Sequence, residues 1–185
     1  DRKLALIHNG IIENFHRLKT SLVDAGQSFL SETDTEVAAH LVAMAYERTG
    51  DLTEAMREAV AQLEGAFTLL AIHADQPGVV VGARRNSPLV VGLGEGANYL
   101  GSDVAAFIGH TREAMEMGQD EIVTITPDSV SVIRFDGTPT EGKRYHVDWD
   151  AAAAEKGGYP SFMAKEIDEQ PQAIGDTLLG RTDSE

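Results

Sequence analysis

The sequence predicts an α+β fold with antiparallel sheets, and the order of its hydrophobic patterns is the evidence. A short apolar strand opens the chain at Lys3–His8, and patterns of helical spacing follow as far as Leu63. After Gly65 the chain changes to short apolar runs separated by turn signals, among them Asp75–Gly78 and Asp136-Gly137. Because helices and strands are segregated rather than alternating, the strands are expected to pair antiparallel.

Glycines and capping residues set the helix boundaries. Thr33 and Glu36 have the spacing of a capping box, which begins a helix. Gly26 and Gly50 stand where glycines commonly end helices. These signals place three helices, over residues 12–26, 33–50 and 53–63.

Residues 28–30 are expected to form a short extended piece. The strands are predicted over residues 66–74, 79–83, 88–93, 99–101, 121–125 and 130–135. The runs 88–93 and 99–101 are expected to form a hairpin. A short helix is predicted at 104–108 and the start of another at 151–154. Gly157–Pro160 is the best linker candidate, and a helical pattern interrupted by Pro171 follows it over 162–179.

Composition limits the function. The 185 residues fit one domain with a short extension, and the net charge of −15 disfavours binding to nucleic acid or to an anionic membrane. No apolar run is long enough to span a bilayer, so a cytoplasmic protein is expected. The chain contains no cysteine, which excludes disulfides and thiolate metal sites.

Asn9-Gly10 follows the first apolar strand. The commonest reason for this pair is a type I′ hairpin turn. A hairpin needs a second alternating strand, but the residues after Gly10 have helical spacing, so we expect a turn from strand to helix. There the Asn9 amide and the Gly10 backbone N–H form an anion cradle suited to a tetrahedral intermediate. The hairpin turn remains the alternative.

Asp34 lies in the first turn of the second helix. An acid at this place is favoured by capping and by the helix dipole, which is the simpler interpretation. A carboxylate held there could also bind a substrate ammonium group. The residue alone favours the capping role.

Two other patterns carry no chemistry. Residues 92–96 resemble a dinucleotide fingerprint, but Ala97 stands where the third glycine belongs, so a hairpin loop is expected. His8, at the end of a buried strand, is interpreted as a core histidine. No metal or other cofactor is expected, because none of the histidines has metal-ligand spacing; they are His8, His16, His40, His73, His110 and His146.

Several motifs together resemble one family. They are the segments His8–Asn14, Ser31–Val37, Ser87–Gly94, Ser102-Asp103, Met163–Ile167, Glu169–Pro171, Thr177-Leu178 and Gly180-Arg181. The chain is similar to the glutaminase domain of the glutamine–fructose-6-phosphate aminotransferases. The first two motifs are shared more loosely with other glutaminases whose nucleophile is an N-terminal cysteine.

The resemblance implies an N-terminal-nucleophile hydrolase fold, an αββα sandwich with antiparallel sheets. In that family a cysteine thiol attacks the glutamine carboxamide, with its own α-amine as base. Carried over to this chain, Asn9 and Gly10 would be the catalytic donors to the oxyanion. Asp34, with Gly10, would bind the substrate, and Asp34 would hold its α-ammonium group.

The resemblance also implies what this chain lacks. The nucleophilic cysteine and an arginine that binds the substrate carboxylate would precede Asp1, so we expect residues 1–157 to be a truncated glutaminase domain without activity of its own. Residues 158–185 would begin the linker to an absent sugar isomerase domain. In the full-length enzyme, expected to be a homodimer, ammonia from glutamine would convert fructose 6-phosphate to glucosamine 6-phosphate.

Two alternatives remain open. One is the glutaminase domain of another amidotransferase, such as the amidophosphoribosyltransferase type. The other is a non-catalytic relative that binds glutamine or regulates a partner. A further expectation concerns Leu4–Ile7: its strand should present an unpaired apolar edge, and the isolated chain should therefore aggregate or fold poorly.

Overall fold

A computed structural model describes residues 3–148 and 158–178. The chain divides into two compact units, with the boundary between Val147 and Asp148. The described part of the second unit contains the helix α4 (Phe162–Leu178), which continues through Pro171 instead of being interrupted there. The predicted helix start at 151–154 lies outside the described residues.

The first unit contains ten strands and three α-helices in the described range. The strands are β1 (Leu4–Ile12), β2 (Gly65–His73), β3 (Val80–Arg85), β4 (Val90–Leu93), β5 (Asn98–Gly101), β6 (Glu113–Glu116), β7 (Glu121–Ile125), β8 (Val130–Arg134), β9 (Pro139–Thr140) and β10 (Lys143–His146). The helices are α1 (Phe15–Asp24), α2 (Asp34–Thr49) and α3 (Leu52–Val60), and a short 3-10 helix spans Val104–Ala106.

The strands form two antiparallel sheets. The first has the order β1-β2-β3-β7-β8-β9, and the second has the order β10-β6-β4-β5. Apolar side chains of β4, β6, β7 and β8 form a core shared by the two sheets. The predicted hairpin is confirmed, because β4 pairs with β5 from Val90 opposite Gly101 to Leu93 opposite Asn98.

The three helices cover the outer face of the first sheet. Their buried side chains pack with those of β1, β2 and β3 in a second apolar core, of which Val37, Met56 and Phe67 are fully buried members. On the outer face of the second sheet, the ring of Phe107, which follows the 3-10 helix, packs against Gly92. A Cβ on Gly92 would lie only 2.6 Å from this ring. The predicted α+β class with antiparallel sheets is confirmed.

Helix boundaries follow the predicted signals. Thr33 is the N-cap of α2 and accepts from the Glu36 N–H, and Gly50 caps its end in the left-handed conformation. Three short strands, β6, β9 and β10, were not predicted, because β9 has only two residues, and β6 and β10 lack an apolar run. The short extended piece at 28–30 pairs with no strand.

The first strand is longer than predicted. It runs to Ile12 and pairs with β2 without a break, from Leu4 opposite His73 to Ile12 opposite Gly65. Asn9-Gly10 therefore lies inside a strand, and both predicted turn types are wrong at this position. The change to helix comes later, and α1 begins at Phe15.

Candidate active site

The outer edge of β1 contains Asn9 and Gly10, and Asp34 is hydrogen-bonded to the same edge at Ile12. This strand is the terminal member of the first sheet, with β2 as its only neighbour in the described part of the chain. The Ala74 N–H donates to Lys3 O and the Glu13 N–H to Glu64 O, each at 2.9 Å. In an antiparallel ladder such bonds involve alternate residues, so the backbone N–H and C=O groups of the odd-numbered residues of β1 point toward β2. Even-numbered residues direct their N–H groups outward.

Gly10 is one of these outward-facing residues. The peptide that joins it to Asn9 directs its N–H away from β2, and its φ is +123°. A Cβ here would lie 2.1 Å from Ala66 O and 2.8 Å from Phe67 Cα. Glycine is therefore required for the close approach of β1 to β2, whatever else its N–H does.

Asn9 precedes this N–H and is exposed. Its position in the strand places it on the sheet face opposite the helices, because side chains alternate along β1. The side-chain amide makes no hydrogen bond with any residue in 3–148 or 158–178. An amide at this place is free to donate to a ligand that also reaches the Gly10 N–H.

Asp34 is tied directly to the same edge. Its Oδ2 accepts from the Ile12 N–H at 2.9 Å, which joins the first turn of α2 to β1 two residues from Gly10. The side chain is 22% exposed. The carboxylate thus has a fixed position and still reaches solvent, a combination that suits binding of a cation.

His8 lies between the strand and the helix. Its Nδ1 is 3.1 Å from Thr35 Oγ1 and 3.5 Å from Asp34 Oδ1, and its side chain is 2% exposed. Nε2 is buried and has no hydrogen-bond partner among the described residues. The interpretation of His8 as a core histidine is therefore correct for its burial, but it overlooked the contact with Asp34.

Glu36 fixes the loop that leads into α2. Its carboxylate accepts from the N–H groups of Leu30 and Ser31 at 2.7 and 2.6 Å, and from Ser31 Oγ at 2.5 Å. The Ser31 hydroxyl, followed by the Leu30 N–H, holds the pKa of Glu36 below its ordinary value. The capping box is thus only half formed, because Glu36 bonds to this loop rather than to the Thr33 N–H.

Two clefts formed by the described residues lie elsewhere. One of about 550 Å³ is lined by Ala5 and Ile72 among others, and one of about 770 Å³ by residues that include Met115 and Arg144. Neither is lined by Asn9, Gly10 or Asp34, and among the described residues the candidate site is an open strand edge.

The described residues offer neither a metal site nor a membrane-spanning helix. Within 3–148 and 158–178 no group of histidine and carboxylate side chains could hold a metal ion. In the same ranges no helix has both the length and the apolar character to cross a membrane.

The stacked antiparallel sheets and the helical layer are those of the N-terminal-nucleophile hydrolase fold, and the comparisons place the chain among the glutamine amidotransferases of this fold. A solved glutamine phosphoribosylpyrophosphate amidotransferase from B. subtilis, complexed with ADP and GMP, superposes with a TM-score of 0.61. It is 27% identical, over 73% of this chain and 30% of that one. A second solved structure, the allosteric regulatory enzyme of purine biosynthesis, gives a TM-score of 0.58 at 28% identity, over 71% of this chain and 28% of that one.

The family is shown by the sequence as well. The family model described as "Glutamine amidotransferase domain" matches residues 1–109, and the chain belongs to this family. Glutamine–fructose-6-phosphate aminotransferases (isomerizing) are the similar relatives, which confirms the resemblance seen in the motifs. The one from Streptomyces coelicolor is 62% identical over 98% of this chain, and the one from Corynebacterium efficiens is 60% identical over 99%. The chain spans 29% and 30% of these relatives' lengths, respectively.

Proposed function

We propose that this chain supplies the oxyanion and ammonium sites for glutamine in a longer glutamine–fructose-6-phosphate aminotransferase. The hydrogen bond from the Ile12 N–H to Asp34 carries the proposal, because it brings the carboxylate to the strand edge where the Gly10 N–H points outward. A ligand that carries both an ammonium group and a carboxamide can reach both groups from this edge.

Each residue has a definite role in the proposed reaction. A nucleophile attacks the carboxamide carbon, and the negative charge that develops on its oxygen is stabilised by the Asn9 amide and the Gly10 N–H. Asp34 binds the α-ammonium group of glutamine and fixes the orientation of the substrate. After ammonia leaves, water hydrolyses the acyl-enzyme and glutamate is released.

The nucleophile belongs to another part of the longer polypeptide in this proposal. The 185 residues contain no cysteine, and Asp1 cannot replace a thiol in acyl transfer. Residues 1–157 would be the glutaminase part, and residues 158–185 would begin the connection to a sugar isomerase domain. Ammonia would pass to fructose 6-phosphate there, in a cytoplasmic homodimer that needs no cofactor.

The test compares two polypeptides. The 185-residue chain should release no ammonia from glutamine, whereas the complete polypeptide encoded by the gene should do so and form glucosamine 6-phosphate from fructose 6-phosphate. Ammonia release by the complete polypeptide with a phosphoribosyl acceptor instead would favour the alternative amidotransferase. Glutamine binding without any ammonia release would favour the non-catalytic relative.

One substitution tests the role of Asp34. Asp34→Asn keeps an acceptor for the Ile12 N–H but removes the charge, so it should raise the KM for glutamine roughly 30-fold or more, since loss of one member of a close charge pair costs about 2–5 kcal/mol. Asp24→Asn, at an exposed position near the end of α1, is the matched control and should leave KM unchanged. An unchanged KM in Asp34→Asn would remove the proposed ammonium site.

A further inference from the structure

The helix-facing side of β1 contains one residue that breaks its pattern. Leu4, Leu6 and Ile12 on this side are apolar and pack in the core beneath the helices. His8 occupies the same side, with a side chain 2% exposed and with Nε2 lacking any partner in the described part of the chain. A buried polar atom without a partner is unfavourable, and an aliphatic side chain here would avoid that cost. The imidazole must therefore contribute something that a leucine cannot.

The contribution lies at Nδ1. This atom is 3.1 Å from Thr35 Oγ1 and 3.5 Å from Asp34 Oδ1, whereas the other carboxylate oxygen of Asp34 accepts from the Ile12 N–H. A protonated Nδ1 donates to the hydroxyl and faces the carboxylate favourably. An unprotonated Nδ1 would point its lone pair toward the negative charge. The contacts therefore favour the tautomer with hydrogen on Nδ1.

We propose that His8 is a positioning residue that holds the Asp34 carboxylate at the outer edge of β1 through its Nδ1–H. The inference rests on the proposed function for its consequence in glutamine binding. One oxygen of Asp34 is fixed by the backbone of β1 and the other lies against the imidazole, so the carboxylate presents one orientation to the ammonium group. His8 itself does not contact the substrate.

Two substitutions separate the nitrogen atoms of the imidazole. In His8→Asn the amide nitrogen is the same number of bonds from Cα as Nδ1, so it can donate to Thr35 and face Asp34. In His8→Gln the amide nitrogen corresponds to Nε2, and the donor at Nδ1 is lost. Both variants leave a polar side chain in a buried place, so they share the cost of burial and differ in the contact with Asp34.

The measurement is glutamine-dependent ammonia release by the complete polypeptide. His8→Gln should raise the KM for glutamine about tenfold and leave kcat within about twofold, because the ammonium contact binds the ground state and the transition state equally. His8→Asn should recover most of the lost affinity. Thr35→Val, which removes the hydroxyl and keeps the shape, should raise KM in the same direction. His73→Gln is the matched control and should leave KM unchanged. His73 is buried on β2, on the sheet face that also contains His8, and its Nδ1 accepts from the Asp75 N–H.

Crystal structures of the same variants give a readout that does not depend on activity. The Asp34 carboxylate should keep its bond to the Ile12 N–H in His8→Asn and turn away in His8→Gln. The inference is overturned if Asp34 stays in place in His8→Gln, or if the two variants are equally impaired. If the complete polypeptide has no glutaminase activity, the proposed function fails and the crystal structures alone decide the role of His8.

Discussion

A Cβ atom on Gly10 would lie 2.1 Å from the carbonyl oxygen of Ala66 on the neighbouring strand. The backbone at Gly10 also has φ +123°, which L side chains rarely adopt. Gly10→Ala should therefore separate β1 from β2 near Phe67, at a cost of about 3 kcal/mol or more in the free energy of unfolding. Denaturant unfolding of the complete polypeptide, followed by a probe in its glutaminase part, measures this loss.

Gly26→Ala is the control for backbone strain alone. Gly26 has φ +89°, but a Cβ there would meet nothing within 4 Å. The expected loss is only about 1 kcal/mol, the ordinary cost of placing an L residue in the left-handed region. Equal losses in the two alanine variants would show that contact with Ala66 does not matter.

The outer edge of β1 has no partner strand among the described residues, which predicts self-association of the isolated chain. Ile7 and Ile11 are each 66% exposed on one face of this strand, and Ile72 of β2 is 50% exposed on the same face. An unpaired apolar edge favours pairing with another chain, so the 185-residue polypeptide should elute as oligomers or aggregate in size-exclusion chromatography with light scattering.

Replacing Ile7 and Ile11 together by lysine should shift the chain toward the monomer, because charges on an edge strand oppose pairing. Leu30→Lys is the control, since Leu30 is 97% exposed in a loop and belongs to no strand, and the change should leave the association unchanged. A wild-type chain that stays monomeric at high concentration would contradict the prediction.

The sequence predicted the class of fold and the boundaries of α2 because those depend on residues close together in the chain. Thr33 and Gly50 show this, since each acts within one turn of α2. Asn9-Gly10 shows the limit. The local pattern suggested a turn, whereas the glycine is required by the backbone of Ala66, which is distant in sequence and comes close only through strand pairing.

The same limit applies to the candidate site. Asp34 was placed correctly at a helix start, but its bond to Ile12 spans 22 positions and has no signature in the sequence. His8 was correctly expected to be buried, yet its approach to Asp34 depends on how α2 packs against β1. Alternation along the strand indicates which residues face the helices, and only the packing shows which of them meet.

The hydrogen bonds of Glu36 predict a dependence of stability on pH. The Ser31 hydroxyl and the Leu30 N–H lower the pKa of this carboxyl below its ordinary value of 4.5. Because the pKa is lower in the folded state, the stabilisation is fully present above 4.5 and is lost as the pH falls through the folded-state pKa. The loop at 30–33 should therefore loosen in acid.

Thermal unfolding of wild type and Glu36→Gln should show this dependence. The variant should melt at a lower temperature at neutral pH, because its amide N–H₂ faces backbone donors, and the difference should narrow as the pH falls below 4.5 and through the folded-state pKa of Glu36. Glu47→Gln, at an exposed position on the same helix, should differ little from wild type at either pH. A difference in melting temperature between Glu36→Gln and wild type that does not change with pH would contradict the prediction.

Asn9 offers the sharpest test of the oxyanion site, because its side chain is exposed and makes no hydrogen bond within the described residues. Asn9→Ala should therefore leave the folded structure intact and reduce kcat for glutamine hydrolysis by roughly 10²–10³ in the complete polypeptide. Asn9→Asp has the same shape but places a negative charge beside the developing oxyanion, so its kcat should be lower still. Ile7→Ala, on the same face of β1, should leave kcat near the wild-type value. If both Asn9 variants change KM and not kcat, Asn9 binds the ground state of the substrate and the oxyanion role is wrong.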